Sequence, residues 1–145
     1  MSSLLYQQDF VQWTEEQARH IQNQELDAID WQNIQEEIAA LGRSEKHQLD
    51  NRLEVLLEHL LKRCYINSTY DNRGWELTIK EQRKQIRRLL RISPSLKNYA
   101  ETVLEEIWQD ACSDVQDIYP NITLPDANPF SEDLEALLTK TFWQS

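Results

Sequence analysis

The chain has 145 residues and a formal net charge of −10, a length that suits one domain burying roughly two-thirds of the surface its unfolded form exposes. Two glycines and four prolines are too few turn residues for a β-rich domain, and no apolar run approaches the ~20 residues that a bilayer-spanning helix needs. The excess of carboxylates disfavours general nucleic-acid binding through phosphate neutralisation. Residues 1–10 lack the basic start and continuous apolar run of a signal peptide, so a cytosolic protein is expected. Cys64 and Cys112 lie far apart, in no metal-ligand spacing. They read as reduced, largely buried thiols.

In chain order, Asp9 is placed to cap a first helix whose apolar positions are Phe10, Trp13, Gln17 (by its stem) and Ile21, close to a 3.6-residue period. Glu25 to Asp27 read as a connector. A second helix starts at Asp30 with the stripe Trp31, Ile34, Ile38 and Leu41. Gly42 invites a break there, with Ser44 as a new cap. The phase argues otherwise, because Leu41, Glu45, Leu49, Leu53, Leu56 and Leu60 keep helical spacing across the glycine. One internal glycine costs about 1 kcal/mol relative to alanine, which a long packed helix tolerates. The expectation is one helix running to about Arg63. Tyr65 to Asn72 form a polar loop, and Asp71 or Asn72 caps a helix with the stripe Trp75, Ile79, Gln82, Ile86, Leu89 and Leu90. Ser93–Pro94 reads as an N-cap followed by a first helical residue. The helix after it shows Leu96, Tyr99, Val103, Leu104, Ile107, Ala111 and Val115. Residues 120–130 carry three prolines and form a loop. Ser131 then caps a short helix with Leu134, Leu137 and Leu138, and Phe142 and Trp143 anchor the tail. The resulting fold class is all-α: a single-domain bundle of four main helices plus a short C-terminal helix.

Several of these residues together resemble a bacterial family, common in cyanobacteria, known as domain of unknown function 29. The resemblance rests on Tyr6 and Asp9 followed by Trp13; Asp30-Trp31 leading to Glu36-Glu37-Ile38 and Leu41-Gly42-Arg43-Ser44-Glu45; Arg52-Leu53; and Leu56-Leu57 with His59-Leu60-Leu61-Lys62. It continues through Trp75, Ile79 and Arg83, then Pro94-Ser95-Leu96, to Phe142-Trp143. The resemblance implies an all-α fold and a bacterial cytosolic setting. It implies no activity.

Four constellations bear on function. Arg52 and His59 are seven residues apart, which advances a helix by about 700° and points both side chains nearly the same way. They resemble the arginine–histidine element of the higher eukaryote and prokaryote nucleotide-binding ribonucleases. There the resemblance implies proton transfer by the histidine and phosphate or histidine positioning by the arginine, chemistry that suits a group titrating near neutrality. Acidic residues (Glu36, Glu37, Glu81, Glu105 and Glu106), with His59, raise a metal-carboxylate bundle. No histidine has a glutamate three residues before it, however, so no metal ligand and no cofactor is assigned.

The third constellation is a basic helix. Residues 73–97 carry 8 basic and 2 acidic groups, whereas 1–72 carry 6 against 13 and 98–145 carry 1 against 10. Within it, Lys80/Lys84, Arg83/Arg87 and Arg87/Arg91 are like-charge pairs one turn apart, each unfavourable by a few tenths of a kcal/mol. The nearest compensation is an antiparallel hairpin facing Glu101, Glu105, Asp110 and Asp114; an acidic protein partner is the next, and nucleic acid the last. The fourth is the set of five tryptophans. Trp13, Trp31 and Trp75 are in phase with apolar stripes and read as core. Trp108 sits off the Val103/Ile107/Ala111 line and reads as exposed, a candidate interface residue.

The leading functional expectation is a non-catalytic protein–protein interaction module with a protein partner or a homo-oligomeric state. Trp75, Arg83, Arg87 and Trp108 are its candidate binding residues. A helical ribonuclease using Arg52 and His59 is the alternative, and a metal-carboxylate protein the third. No membrane association is expected.

Overall fold

In the computed structural model, residues 2–130 and 133–144 are described. They are helical, with no strand among them. The helices are α1 (Ser2–Gln8), α2 (Phe10–Gln22), α3 (Trp31–Leu61), α4 (Asn72–Ile92), α5 (Leu96–Ile118) and α6 (Leu134–Thr139). The four long helices and the short C-terminal one match the expected all-α architecture. The short α1 and a 3₁₀ turn at Leu26–Ala28 are additions. No described helix is long and apolar enough to cross a membrane. The chain groups into two compact units, Met1–Ser44 and Glu45–Ser145, and α3 contributes residues to each.

The first unit is held by aromatic and polar contacts around Trp13. Asp9 caps α2 as its sequence position requires, its carboxylate accepting from the Gln12 N–H at 3.1 Å. Tyr6 meets Trp13 edge-on at 4.7 Å between ring centroids, and Phe10 stacks on Trp13 at 5.7 Å. Asp30 ties α2 to the start of α3. Its carboxylate accepts from the buried Trp13 indole at 3.1 Å and from Asn33 at 2.7 Å, and its own N–H donates to the Gln17 side chain at 2.7 Å. Gln17 is accordingly buried. Gln24, at φ 58°, supplies the left-handed residue that closes α2.

The second unit contains the continuous apolar core. Leu49, Leu53, Leu56, Leu57, Leu60 and Leu61 of α3 pack with Ile79, Ile86 and Leu89 of α4, and with Leu96, Ala100, Ile107, Trp108, Ala111 and Val115 of α5. Phe130 and the α6 leucines 134, 137 and 138 close it. The expected tail anchor is present, with Phe142 and Trp143 packed against this core. Tyr99 of α5 donates its hydroxyl to the Asp50 carboxylate at 2.9 Å. The Gln116 amide reaches the carbonyls of Tyr119, Pro120 and Ile122 and so shapes the loop after α5.

The long helix passes through Gly42 without a break, as its phase predicts. Four expectations need correction. Ser93 ends α4, and Ser95 occupies the N-cap position of α5, so the restart lies two residues later than the Ser93–Pro94 pair suggests. The proposed cap Ser131 lies outside the described residues; Asp133 occupies the N-cap of α6 and accepts from the Glu135 N–H. Trp108 is fully buried (0 % exposed), edge-on to Phe130 at 6.0 Å. It follows Ile107 into a contact face wider than a single line because α5 packs against both the other helices and the loop at Phe130. Trp31, in contrast, is 58 % exposed, as are Ile38 at 64 % and Leu41 at 69 %. Their stripe is a real amphipathic face that the described residues leave exposed.

Candidate functional site

Arg52 and His59 lie about 10.5 Å apart along α3 at the helical rise. They turn to different partners. Arg52 donates to Gln82 of α4 at 3.2 Å, while the His59 ring folds back onto its own helix, Nδ1 lying 2.8 Å from the Val55 carbonyl. A bond to that carbonyl makes Nδ1 the donor of the neutral ring. Burial holds His59 below the ordinary histidine pKa, and Lys62 adds to the effect. Neither side chain is committed to the other.

Glu54, Glu58 and Asp114 bring their carboxylates within 4.8 Å of one another. None of the three is among the carboxylates raised for a metal site from the sequence, and Asp114, expected to face the basic helix, meets α3 instead; spacing says nothing about which turns of α3 and α5 meet. Burial pushes Glu58 up to about 7, assisted by a hydrogen bond to Asp114 and by the charges of Asp114 and Glu54, with Lys62 opposing. Glu58 is thus the member of the cluster that holds a proton up to near neutrality. Burial also raises Cys64 and Cys112, which keeps both as thiols rather than nucleophilic thiolates.

The basic helix finds its compensation elsewhere than expected. Among the described residues the ion pairs are His20–Glu25 and Arg63–Glu76, so no α4 cation is paired with an α5 carboxylate. Arginines bind the C-terminal segment by its backbone instead. Arg83, buried on the core face, donates to the carbonyls of Leu137 at 3.1 Å and Lys140 at 2.6 Å. Arg87 donates to the Leu138 carbonyl at 2.9 Å. These carbonyls belong to the end of α6, where no further turn supplies their partners, and the negative end of the helix dipole favours a cation there.

Arg63 completes the clamp. It sits in a π-helical turn at Lys62–Ile66 and is buried. Its guanidinium donates to Glu76 at 2.7 Å, to the Asn67 side chain at 3.1 Å and to the Gln144 carbonyl at 3.1 Å, and lies 5.7 Å from the Trp143 ring centroid. Sequence reasoning overlooked Arg63. Its signal was phase: Arg63 falls in line with Leu49, Leu53, Leu56 and Leu60, as Arg83 does with Ile79 and Ile86. An arginine on a core face must find acceptors there.

Carbonyl acceptors leave the guanidinium charges un-neutralised. Beside them a groove of about 480 Å³ is lined by Arg73, Lys80, Arg83 and Arg87 with Glu76, Thr139, Thr141 and Trp143. Its one carboxylate already pairs with Arg63. Arg83 and Arg87 therefore share one site, as clamp and groove wall. Trp75 is half-buried on the first turn of α4, and Trp108 is fully buried; its indole N–H has no hydrogen-bond partner among the described groups.

The other candidate surface is the open face of α3. Trp31, Ile34, Ile38 and Leu41 fall within about 80° of one another around the helix at 100° per residue. Ile34 is half-buried and the other three are exposed. Trp31 donates its indole N–H to the Leu26 carbonyl at 3.2 Å, which places the exposed Leu26 beside it.

Neither a curated protein nor a solved structure matches the chain. A family model described as "Domain of unknown function DUF29" matches residues 5–143, nearly the whole length, and the chain therefore belongs to that family.

Proposed function

We propose that the protein is a non-catalytic protein–protein interaction module whose binding surface is the apolar face of α3 from Trp31 to Leu41. One observation carries this reading: the same stripe that supplies the core further along α3 remains in solvent here, with Trp31, Ile38 and Leu41 each more than half exposed. Scattered apolar residues on a surface need no explanation, whereas a row on one helix face marks an interface. Aromatic residues of this kind anchor such contacts.

The test is partner capture from the native cell by full-length protein against an Ile38→Glu variant. The exposed site of substitution leaves the fold intact, checked by circular dichroism. Loss of specifically retained proteins in the variant is expected; an unchanged set rejects the reading.

A second reading places an acidic protein segment in the groove of α4, favoured by the four cations that line it, of which Arg83 and Arg87 are held by neutral carbonyls. Binding there weakens steeply with salt and is lost on Lys80→Glu. The separate partners of Arg52 and His59 do not favour a ribonuclease. Cleavage of RNA by purified protein, abolished in His59→Ala, is the result that would restore it.

A further inference from the structure

We infer that the partner at the open face of α3 is a second copy of this chain, docked face to face about a two-fold axis near Ile38. The inference rests on the interaction-module reading and names the occupant of the same surface. Three observations on this surface carry it.

The first is area. Leu26, Trp31, Ile38 and Leu41 are 61, 58, 64 and 69 % exposed. Side chains of this size carry on the order of 150–250 Å² each, so the four present about 500 Å² of apolar surface. A standard stable interface takes about 800 Å² from each partner, about 65 % of it apolar in homodimers, or about 500 Å². The face is thus the size a dimer needs.

The second is self-complementarity. A two-fold contact requires one patch that fits itself. Antiparallel pairing of two α3 helices with Ile38 on the axis sets Ile38 against Ile38, and Leu41 and Gly42 of one copy beside Ile34 of the other. No charge sits on the stripe between Trp31 and Leu41. Glu36 lies on the opposite side of the helix by its phase, and Glu37 sits at the edge of the stripe rather than on it.

The third is Gly42. A mid-helix glycine is unfavourable by about 1 kcal/mol against alanine. Apart from its chain neighbours and the backbone of its own helix, no described atom lies within 4 Å of where its Cβ would stand, and its φ is not positive. Among the described residues nothing requires the glycine. A second helix approaching closely at this point does.

The first unit carries eight carboxylates against two arginines, a net −6. Two like-charged units joined by an apolar face repel at long range, so salt strengthens their contact. A basic partner on the same face would be weakened by salt. Sedimentation velocity of the full chain at about 0.1 M and about 1 M salt, which shortens the Debye length from about 10 Å to about 3 Å, separates the two.

The expected result is a monomer–dimer equilibrium that tightens at high salt. It weakens at least 10-fold in Ile38→Glu, weakens measurably in Gly42→Ala, and does not change in Ile118→Glu, a control at the exposed end of α5. A wild-type chain that stays monomeric at both salts up to about 100 µM, a hundred times a Kd of about 1 µM, overturns the inference. So does a dimer indifferent to Ile38→Glu. In the monomeric case, partner capture that Ile38→Glu abolishes leaves the module reading standing while this inference falls; capture that the variant leaves unchanged brings down both.

Discussion

The two halves of α3 carry the same pattern and meet opposite fates. From Leu49 to Leu61 the stripe is entirely buried, because α4, α5 and α6 supply apolar faces that close over it. From Trp31 to Leu41 the stripe keeps the same phase but faces solvent. Amphipathic periodicity specifies that a face avoids water; it does not specify which molecule covers the face. The comparison separates leucines that hold one chain together from apolar residues available to hold two chains, or a chain and its partner.

The sharpest way to break this comparison is to truncate both halves. Leu56→Ala, in the closed half, is expected to lower the unfolding free energy by about 2–5 kcal/mol. Ile38→Ala, in the open half, should change it by less than about 0.5 kcal/mol. Urea titrations at low protein concentration measure both, and equal effects would show that the open half is packed in solution.

A smaller effect is expected where the closed half is locked at its far end. Arg83→Ala removes two charge-assisted bonds to the end of α6 and should destabilise the second unit by about 2–3 kcal/mol. Cleavage of the C-terminal segment by a protease should accelerate. Arg83→Lys should recover only part of the loss, because an ammonium lacks the planar fork that spans Leu137 and Lys140. Gly42→Ala, in the open half, should raise the stability of the monomer by up to about 1 kcal/mol. A loss instead would show a contact at that position within one chain.

The smallest expected effect is a pH dependence confined to the closed half. Glu58 rises from an ordinary 4.5 to about 7 on folding, through burial first and Asp114 next. The folded state then holds the proton more tightly. Its contribution is fully present below about pH 4.5 and is lost as pH rises through about 7. His59, lowered by burial, acts with the opposite sign: its contribution is present above pH 6.5 and is lost as pH falls below it. Thermal unfolding of Glu58→Gln from pH 5 to 8 should show a flatter profile than wild type. An unaltered slope would mean that Glu58 does not hold its proton more tightly in the folded state.

Much of the fold was legible. Asp9 capped α2, Asp30 opened α3, and helical phase carried α3 through Gly42. The all-α class and the DUF29 resemblance followed from local pattern and from residues spread along the chain. The candidate surfaces were less legible. Arg83 and Arg87 were singled out for their like charge, and they do line the groove. Their acceptors are peptide carbonyls, which every residue possesses and which therefore leave no trace in the sequence. Trp31 and Trp108 exchanged places between core and surface because each lies close enough to an apolar stripe for either outcome.

Helix positions, their apolar faces and the cationic character of α4 were determined by the sequence itself, since they depend on neighbours three and four residues apart. Three things were decided by tertiary structure: which half of the α3 stripe is covered, which carboxylates converge at Glu54, Glu58 and Asp114, and where the arginines find acceptors. Each depends on groups distant in the chain, whose approach is set by packing of whole helices rather than by any local preference. The open Trp31–Leu41 face is the part of the pattern that the packing of the described residues leaves exposed.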